Sequence, residues 1–317
     1  METMTSPAKS TRIGELDFLK SVMIILMIGF HLVYFSELHP YAKQVVYTFH
    51  MPVFLLISGY LMNFNKPTIH FFKTILWLTV PYLVMEIGYI LAASILPIRE
   101  HIDNLTIGVF INKLLINPIG PYWYLQSVIL CGTTYYAIFK LSKSKFLTQY
   151  ILTAIFFFSY SCFGLVSLPL SLYFLTGIVI RNSTLSFLDV FRPSFLSIIG
   201  LAFLIVNPEN LHSDAGSGIL IVYLSISFCL YIYSHLKGFG LHIMLFLGRN
   251  TLVLFLFSPI FTIVCKQFIP ILSFDPTGLI FLVVSLIVCI TGSLAIGWMM
   301  DTCRLSAFFV GRKKIIS

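Results

Sequence analysis

The sequence predicts an all-α polytopic membrane protein, a bundle of about ten transmembrane helices that forms one domain over residues 1–317. Three observations lead to this class. The chain is 58% hydrophobic and only 10% charged, far from the composition of a soluble domain. Residues 146–180 and 276–300 carry no charged side chain. The basic residues, which give a formal net charge of +8, lie in short connections between apolar segments, where they indicate membrane topology and not nucleic-acid binding.

Loop residues and charges divide the apolar sequence into about ten predicted spans. In order these are residues 16–37, 42–64, 70–97, 119–140, 146–162, 165–181, 188–206, 216–236, 242–268 and 277–300. The uncharged run 146–180 is divided in two because one helix of that length would extend about 52 Å, well beyond a hydrocarbon core of about 30 Å. We expect the turn near Ser161, Gly164 and Ser167.

The distribution of basic residues predicts the orientation of the spans. With the amino terminus inside, most Lys and Arg fall on one side of the membrane, and only a few on the other: Lys43, Arg99, Lys113 and Lys266. This asymmetry predicts cytoplasmic amino and carboxyl termini and a multi-pass protein of the cytoplasmic membrane, with the lipid bilayer as its first partner. The six cysteines form no Cys-x-x-Cys pair, so neither a disulfide framework nor a metal site is predicted.

The first predicted span contains two ionisable side chains, Lys20 and His31, with no charged residue between them. On an α-helix they are separated by about three turns and roughly 16 Å, so they project from nearly the same face. Asp17 falls within about 40° of that face. Because ionisable groups at bilayer depth are costly unless they face a bundle interior or a watery cavity, this polar stripe predicts an intramembrane site.

Three titratable side chains are expected at similar depth in the first three spans: His31, His50 and Glu86. A neutral imidazole accepts a proton at physiological pH, and a neighbouring carboxylate orients it and stabilises its charged form. We therefore predict His31 as the catalytic base and Glu86 as its carboxylate. Structural roles stay open: His31 as a hydrogen-bonded core histidine, Glu86 as a protonated hydrogen-bond donor, and Lys20 as a side chain whose ammonium reaches the headgroups.

Three segments carry motifs with a recognisable pattern: RIGELDFLKSVMIILMIGFH at residues 12–31, FHMPVFLLISGY at 49–60, and GPYWYL at 120–125, in which Trp123 is the marker. Together they resemble the acyltransferase-3 family of integral membrane acyltransferases, whose members move acyl groups, commonly acetyl, onto cell-envelope saccharides. One late segment departs from the family pattern. Many relatives read His-Pro where LGRNTLVLFLFSP has Ser258, so the role of that histidine is absent here or is taken over by Ser258, His50 or a water.

The resemblance implies an O-acyltransferase, in the first place an O-acetyltransferase, that uses cytosolic acetyl-CoA or another acyl-CoA as donor substrate and has no permanently bound cofactor. The acceptor would be a hydroxyl of an envelope saccharide or lipid-linked sugar. Basic residues suited to the anionic donor are Lys20, Arg12, Lys73 and Arg249. Candidates for substrate binding or for stabilising the oxyanion are Asp17, His50, Ser58, Tyr60, Trp123, Asn250 and Ser258. Transfer could be direct or pass through an acyl-enzyme on Ser258 or His31.

Two other functions remain open on the sequence. The first is a carrier of saccharides or small anions with Lys20, His31 and Glu86 as a proton relay, and the second is a noncatalytic relative that binds envelope glycans. A proton-coupled carrier needs acids through the membrane, whereas Glu86 is the one acid predicted deep in a span, with Asp17 and Asp301 near span ends. The scarcity of acids favours the enzyme.

Overall fold

The computed structural model describes residues 13–96, 100–142 and 145–317, which form helices and connecting loops without a β-strand. The α-helices, in chain order, are α1 (Gly14–His31), α2 (Val33–Leu38), α3 (Pro40–Leu61), α4 (Thr68–Ile95), α5 (Ile107–Leu115), α6 (Trp123–Leu141), α7 (Phe146–Cys162), α8 (Leu168–Asn182), α9 (Phe187–Val190), α10 (Ser197–Ile205), α11 (Gly216–His235), α12 (Gly238–Arg249), α13 (Thr251–Val264), α14 (Ile269–Leu272), α15 (Leu279–Thr302) and α16 (Ser306–Phe309). Short 3-10 turns lie at Pro208–Asn210 and Cys265–Phe268.

Within the described ranges, five helical segments are long and apolar enough to cross a membrane: α3, α4, α11, the run Thr251–Leu272, and α15. Helices α7, α8 and α12 are apolar but shorter. The all-helical class with several membrane-spanning helices is therefore confirmed. The full number of about ten spans and the cytoplasmic side of both termini stay predictions.

Three predicted spans are interrupted in the structure, and two of them lie at 16–37 and 188–206. The span 16–37 is interrupted, because α1 ends at His31 and Leu32 takes an extended conformation before α2 begins. The prediction of one helix over 188–206 is wrong: α9 and α10 are separated by an irregular segment around Pro193. Proline lacks the N–H of a helical hydrogen bond and disfavours helical backbone in the residue before it.

The predicted division of the run 146–180 is confirmed. Helix α7 ends at Cys162 and α8 begins at Leu168, and the turn between them includes Gly164 with a positive φ of 71°. The predicted span 242–268 is also divided, since Asn250 separates α12 from α13.

Helix α1 lies at the centre of the bundle. It packs against α3, α11, α12, α13 and α15, and its apolar side chains are buried on several faces, as expected for a helix that is hydrophobic all round. Its backbone comes very close to that of α12. A Cβ atom added to Gly248 of α12 would overlap the carbonyl group of Asp17. The amino-terminal part of α1 is therefore packed directly against α12.

Helices α3 and α8 form the other close pair. Gly59 of α3 faces the carbonyl group of Phe174, and Gly177 of α8 faces the carbonyl group of Leu56. Small residues at such an interface let two backbones approach closely. The resulting van der Waals packing stabilises helix association in a membrane, where the surrounding lipid is itself apolar.

Candidate functional site

The carboxyl-terminal end of α1 opens into a cavity of about 330 Å³, which we call the histidine cavity. It is lined by His31 together with Glu100, Trp123, Ser258 and Lys266. His31, Trp123 and Ser258 come from three separate parts of the sequence and were all predicted as site residues. The structure brings them to one cavity.

The imidazole of His31 is oriented by its own helix. Its Nδ1 lies 2.7 Å from the carbonyl oxygen of Met27, one turn earlier. Because a carbonyl oxygen only accepts, Nδ1 carries the proton, and in the neutral ring Nε2 is then the nitrogen that accepts one. The ring also stacks on that of Tyr47, with centroids 6.0 Å apart. This geometry suits a general base.

Glu86 is completely buried in α4, and its carboxylate makes no hydrogen bond to His31. Its Oε1 accepts a hydrogen bond from the backbone N–H of Ile119 at 2.8 Å, and its Oε2 has no hydrogen-bond partner among the described residues. The expected orientation of the imidazole by Glu86 is not observed, because Nδ1 of His31 bonds to the carbonyl oxygen of Met27 and Oε1 of Glu86 accepts from the N–H of Ile119.

A second carboxylate, Glu100, was missed by the sequence reasoning. Its Oε2 accepts a hydrogen bond from the backbone N–H of Gly120 at 3.0 Å, next to the amide that Glu86 holds. Gly120 has a positive φ of 64° and packs against the ring of Tyr89. Two carboxylates thus fix the segment that precedes Trp123, and one of them lines the histidine cavity. Glu100 lies in a loop, where no helical period could indicate its direction.

His50 is buried behind Tyr47, whose side chain lines the histidine cavity. Its Nδ1 bonds to the carbonyl oxygen of Val46 at 2.8 Å, and its Nε2 has no hydrogen-bond partner in the described part of the chain. Its ring centroid lies 5.1 Å from that of Tyr47, which in turn stacks on His31. His50 therefore supports the aromatic row behind His31 and is not among the residues that line the cavity.

Two adjoining cavities, of about 450 and 590 Å³, lie towards the other end of α1, and we call them together the basic cavity. Its cationic lining consists of Lys20, Lys66, Lys73, Arg249 and Arg312. Three of these, Lys20, Lys73 and Arg249, were predicted for an anionic ligand and are here brought together. The fourth predicted base, Arg12, lies outside the described residues.

Asp17 holds two of these cations in place. Its Oδ1 lies 2.8 Å from Nζ of Lys20, and its Oδ2 lies 3.6 Å from Nε of Arg249. Asp17 was predicted as a substrate-binding residue, but its carboxylate faces these two bases instead. One carboxylate against five cationic side chains leaves the cavity with a positive potential that favours anions.

Two consecutive aromatic residues at the start of α6 line different cavities. Tyr124 lines the basic cavity, whereas the preceding residue Trp123 lines the histidine cavity. The Tyr124 ring packs against Phe54 and Phe255, with centroid distances of 5.8 and 5.2 Å. Its hydroxyl lies 2.6 Å from that of Ser58, so the predicted residue Ser58 belongs to the basic cavity and not to the surroundings of His31.

Two further predicted residues also lie away from His31. Tyr60 is buried, with its ring under the guanidinium group of Arg181 and beside Phe187. Asn250 lines the basic cavity and bonds to the backbone of Ser317. Neither side chain is placed to stabilise an oxyanion in the histidine cavity.

The basic cavity also contains residues that were not predicted as site residues. Lys66, Trp77 and Arg312 all line it. Their basic and aromatic side chains are typical of ligand sites, but nothing in the local sequence separates them from ordinary interfacial residues.

A family model described as an acyltransferase domain matches residues 13–298, nearly the whole chain. The matched range includes His31, Ser258 and most of the basic cavity, and it ends before Arg312. No curated protein and no solved structure matches the chain.

Proposed function

The chain belongs to the acyltransferase-3 family of membrane acyltransferases, and from this premise we propose that it transfers an acyl group, in the first place acetyl, from cytosolic acyl-CoA to a hydroxyl of an envelope saccharide or lipid-linked sugar. One observation carries the proposal. A single helix, α1, places Lys20 in a basic cavity and His31, roughly 16 Å further along, in a separate cavity.

The basic cavity supports the choice of donor. Coenzyme A joins an anionic nucleotide to a long, thin thiol-bearing arm. Guanidinium and ammonium groups bind phosphate oxygens through charge-assisted hydrogen bonds, and Arg249 and Arg312 offer the planar fork that binds two oxygens at once. The distance between Lys20 and His31 is comparable to the length of the arm, so the nucleotide and the thioester would occupy different cavities.

The histidine cavity supports the chemistry. His31 Nε2 would remove the proton from the acceptor hydroxyl as its oxygen attacks the thioester carbonyl carbon. The tetrahedral intermediate would then collapse, the carbon–sulfur bond would break, and the imidazolium would return the proton to the CoA thiolate. The carbonyl oxygen of Met27, which accepts from Nδ1, stabilises the imidazolium while it carries the second proton.

The oxyanion of the intermediate needs donors in the same cavity. Ser258 and Lys266 both line it, and an ammonium or a hydroxyl can stabilise a negatively charged oxygen in a cavity that excludes bulk water. Ser258 stands where many relatives have histidine. We propose that it contributes as a hydrogen-bond donor during direct transfer.

The proposed orientation follows from the charges. The basic cavity would face the cytosol, where acyl-CoA is present, and the histidine cavity would face outward, where the acceptor arrives. This arrangement agrees with about ten spans and cytoplasmic termini in the cytoplasmic membrane, because the side that carries most Lys and Arg is then inside.

Acyl transfer from labelled donor tests the proposal. Purified protein is incubated with radiolabelled acetyl-CoA and candidate envelope glycans, and label on the glycan is measured. We expect transfer by the wild type and loss of about 10²-fold or more in His31→Ala. The matched control is His242→Ala, because the exposed His242 makes the same Nδ1 contact with the carbonyl oxygen four residues earlier, at 2.8 Å.

Two outcomes would contradict the proposal. If His31→Ala transferred label as fast as the wild type, His31 would not be the base. If the wild type bound acetyl-CoA but transferred nothing to any glycan, the noncatalytic alternative would replace the enzyme.

A further inference from the structure

The chain after α16 forms one wall of the basic cavity. Residues of this segment that line the cavity are Val310, Gly311, Arg312, Ile315 and Ser317. We refer to residues 310–317 as the tail. It lies beyond residue 298, where the match to the family model ends. The tail is therefore a part of the cavity that the family relationship does not explain.

Asp301, near the end of α15, holds the tail against the bundle. Its Oδ1 accepts hydrogen bonds from the backbone N–H of Ile315 at 2.6 Å and from the hydroxyl of Ser306 at 2.5 Å. Its Oδ2 accepts from the N–H of Ile316 at 3.2 Å. Hydrogen bonds to a carboxylate are stronger than those between neutral groups, so this contact fixes the tail backbone.

Asn250 fixes the tail at a second point. Its Oδ1 accepts from the N–H of Ser317 at 2.8 Å, and its Nδ2 lies 3.4 Å from the carbonyl oxygen of the same residue. Asn250 separates α12 from α13, and Arg249 precedes it. The side chain that follows Arg249 thus joins the tail to the cationic lining of the cavity.

The position of Arg312 is set by the turn before it. Gly311 has a positive φ of 66°, and a Cβ atom at this position would overlap the indole ring of Trp77. The indole Nε1–H of Trp77 is buried without a hydrogen-bond partner in the described part of the chain. The unused N–H donor of Trp77 thus lies beside Gly311, and Trp77 and Arg312 line the same cavity.

The two arginines that line the cavity differ in their ion pairing. Arg249, like Lys20, faces Asp17, whereas Arg312, like Lys66 and Lys73, has no carboxylate within 4.0 Å in the described ranges. Arg312 also lines both parts of the basic cavity. A guanidinium that is held in place and lacks an acidic partner is suited to bind a phosphate group through two hydrogen bonds.

We propose that Arg312 binds a phosphate group of the donor nucleotide, and that Asp301 and Asn250 are positioning residues that hold the tail for this purpose. The inference rests on the proposed use of a CoA donor but not on catalysis. The phosphate of an anionic lipid headgroup has the same chemistry as that of a nucleotide. The experiment must therefore distinguish these two sources.

Binding of free CoA to the protein in phosphatidylcholine nanodiscs tests the inference without any transfer reaction. Isothermal titration is carried out on the wild type, on Arg312→Gln, and on the control Lys313→Gln, which changes the neighbouring exposed base that does not line the cavity. We expect Arg312→Gln to raise the Kd for CoA about tenfold or more, the effect of losing a charge-assisted hydrogen bond. Lys313→Gln should bind like the wild type.

The positioning role of Asp301 is tested in the same assay. Asp301→Asn should weaken CoA binding, and the double variant with Arg312→Gln should bind no more weakly than Arg312→Gln alone, because Asp301 acts through that residue. A purely structural role would instead weaken the double variant further. Thermal unfolding of each variant checks that the helical bundle remains folded.

Three results would overturn the inference. These are no binding of CoA by the wild type, binding of CoA by Arg312→Gln as tight as by the wild type, and a difference in Kd between the two that is seen only in nanodiscs with phosphatidylglycerol. The last result would assign Arg312 to a lipid headgroup. Normal CoA binding through Arg312 without acyl transfer would support this inference and contradict the proposed function, so the two can fail separately.

Discussion

Nδ1 of His31 donates a hydrogen bond to the carbonyl oxygen of Met27, 2.7 Å away in the same helix. The tautomer and direction of the imidazole are thus set within α1, by backbone that does not depend on another span. The side chain that we propose as the general base is therefore oriented without a carboxylate, and Glu86 instead accepts a hydrogen bond from the backbone N–H of Ile119.

The first prediction concerns Glu86. Glu86→Gln should lower acyl transfer by less than the roughly 10²-fold expected for loss of a general base, because the amide oxygen can still accept from Ile119 N–H. Glu86→Ala should instead reduce the free energy of unfolding by about 1–3 kcal/mol, since the buried N–H loses its acceptor. Label transfer and thermal unfolding measure the two effects. A loss of activity in Glu86→Gln as large as in His31→Ala would show that the carboxylate takes part in the chemistry.

The second prediction separates direct transfer from an acyl-enzyme on Ser258. After incubation with acetyl-CoA in the absence of acceptor, intact-protein mass spectrometry should detect no acetyl group on Ser258. Ser258→Ala should retain measurable transfer with a reduction of up to about 10²–10³-fold, the effect of removing one oxyanion donor. A hydroxylamine-sensitive acetyl adduct that disappears in Ser258→Ala would establish the relay instead.

The third prediction concerns Tyr124, which lines the basic cavity next to Trp123 of the histidine cavity and which we expect to separate the two. Tyr124→Ala should open a path for water between the histidine and basic cavities, and so increase the release of CoA from acetyl-CoA when no acceptor is present. Tyr124→Phe keeps the ring and removes only the hydroxyl that faces Ser58, so it should not raise this hydrolysis. Free thiol, measured with a colorimetric reagent, reports both. Equal hydrolysis by Tyr124→Ala and the wild type would mean that this ring does not separate the cavities.

The fourth prediction tests the close pair α3 and α8. Gly177→Ala should destabilise the bundle by about 1–3 kcal/mol, because the added methyl group would overlap the backbone of Leu56. Gly88→Ala is the matched control: it is also within a helix, and a Cβ atom there meets nothing within 4 Å. The midpoint of thermal unfolding should fall for Gly177→Ala and not for Gly88→Ala. A similar midpoint for both variants would contradict the observed helix contact.

The sequence was sufficient for features that depend on local periodicity. The predicted distance between Lys20 and His31 depends on an unbroken helix, and α1 is continuous from Gly14 to His31. The run 146–180 is too long for one span, and it forms two helices. Ser258 could be placed near His31 only through the family resemblance, since the two residues are far apart in the chain.

Contacts between distant segments could not be predicted. No periodicity links Glu100 to the amide of Gly120, or Asp301 to that of Ile315, because both contacts depend on how loops return to the bundle. Helical spacing likewise gave no reason to expect that Met27, and not Glu86, would orient His31. A histidine side chain can donate to a carbonyl oxygen of its own helix or to a carboxylate of another helix, and hydropathy does not distinguish these two acceptors.

The central claim is that a donor whose nucleotide binds beside Lys20 delivers its acyl group beside His31, in a cavity at the other end of the same helix. The most direct test reconstitutes the protein in vesicles with a single orientation, with labelled acetyl-CoA on one side and the acceptor glycan on the other. We predict label on the glycan only when acetyl-CoA is on the side of the basic cavity and the acceptor is on the side of the histidine cavity, and none with His31→Ala. Transfer that requires donor and acceptor on the same side would contradict the account.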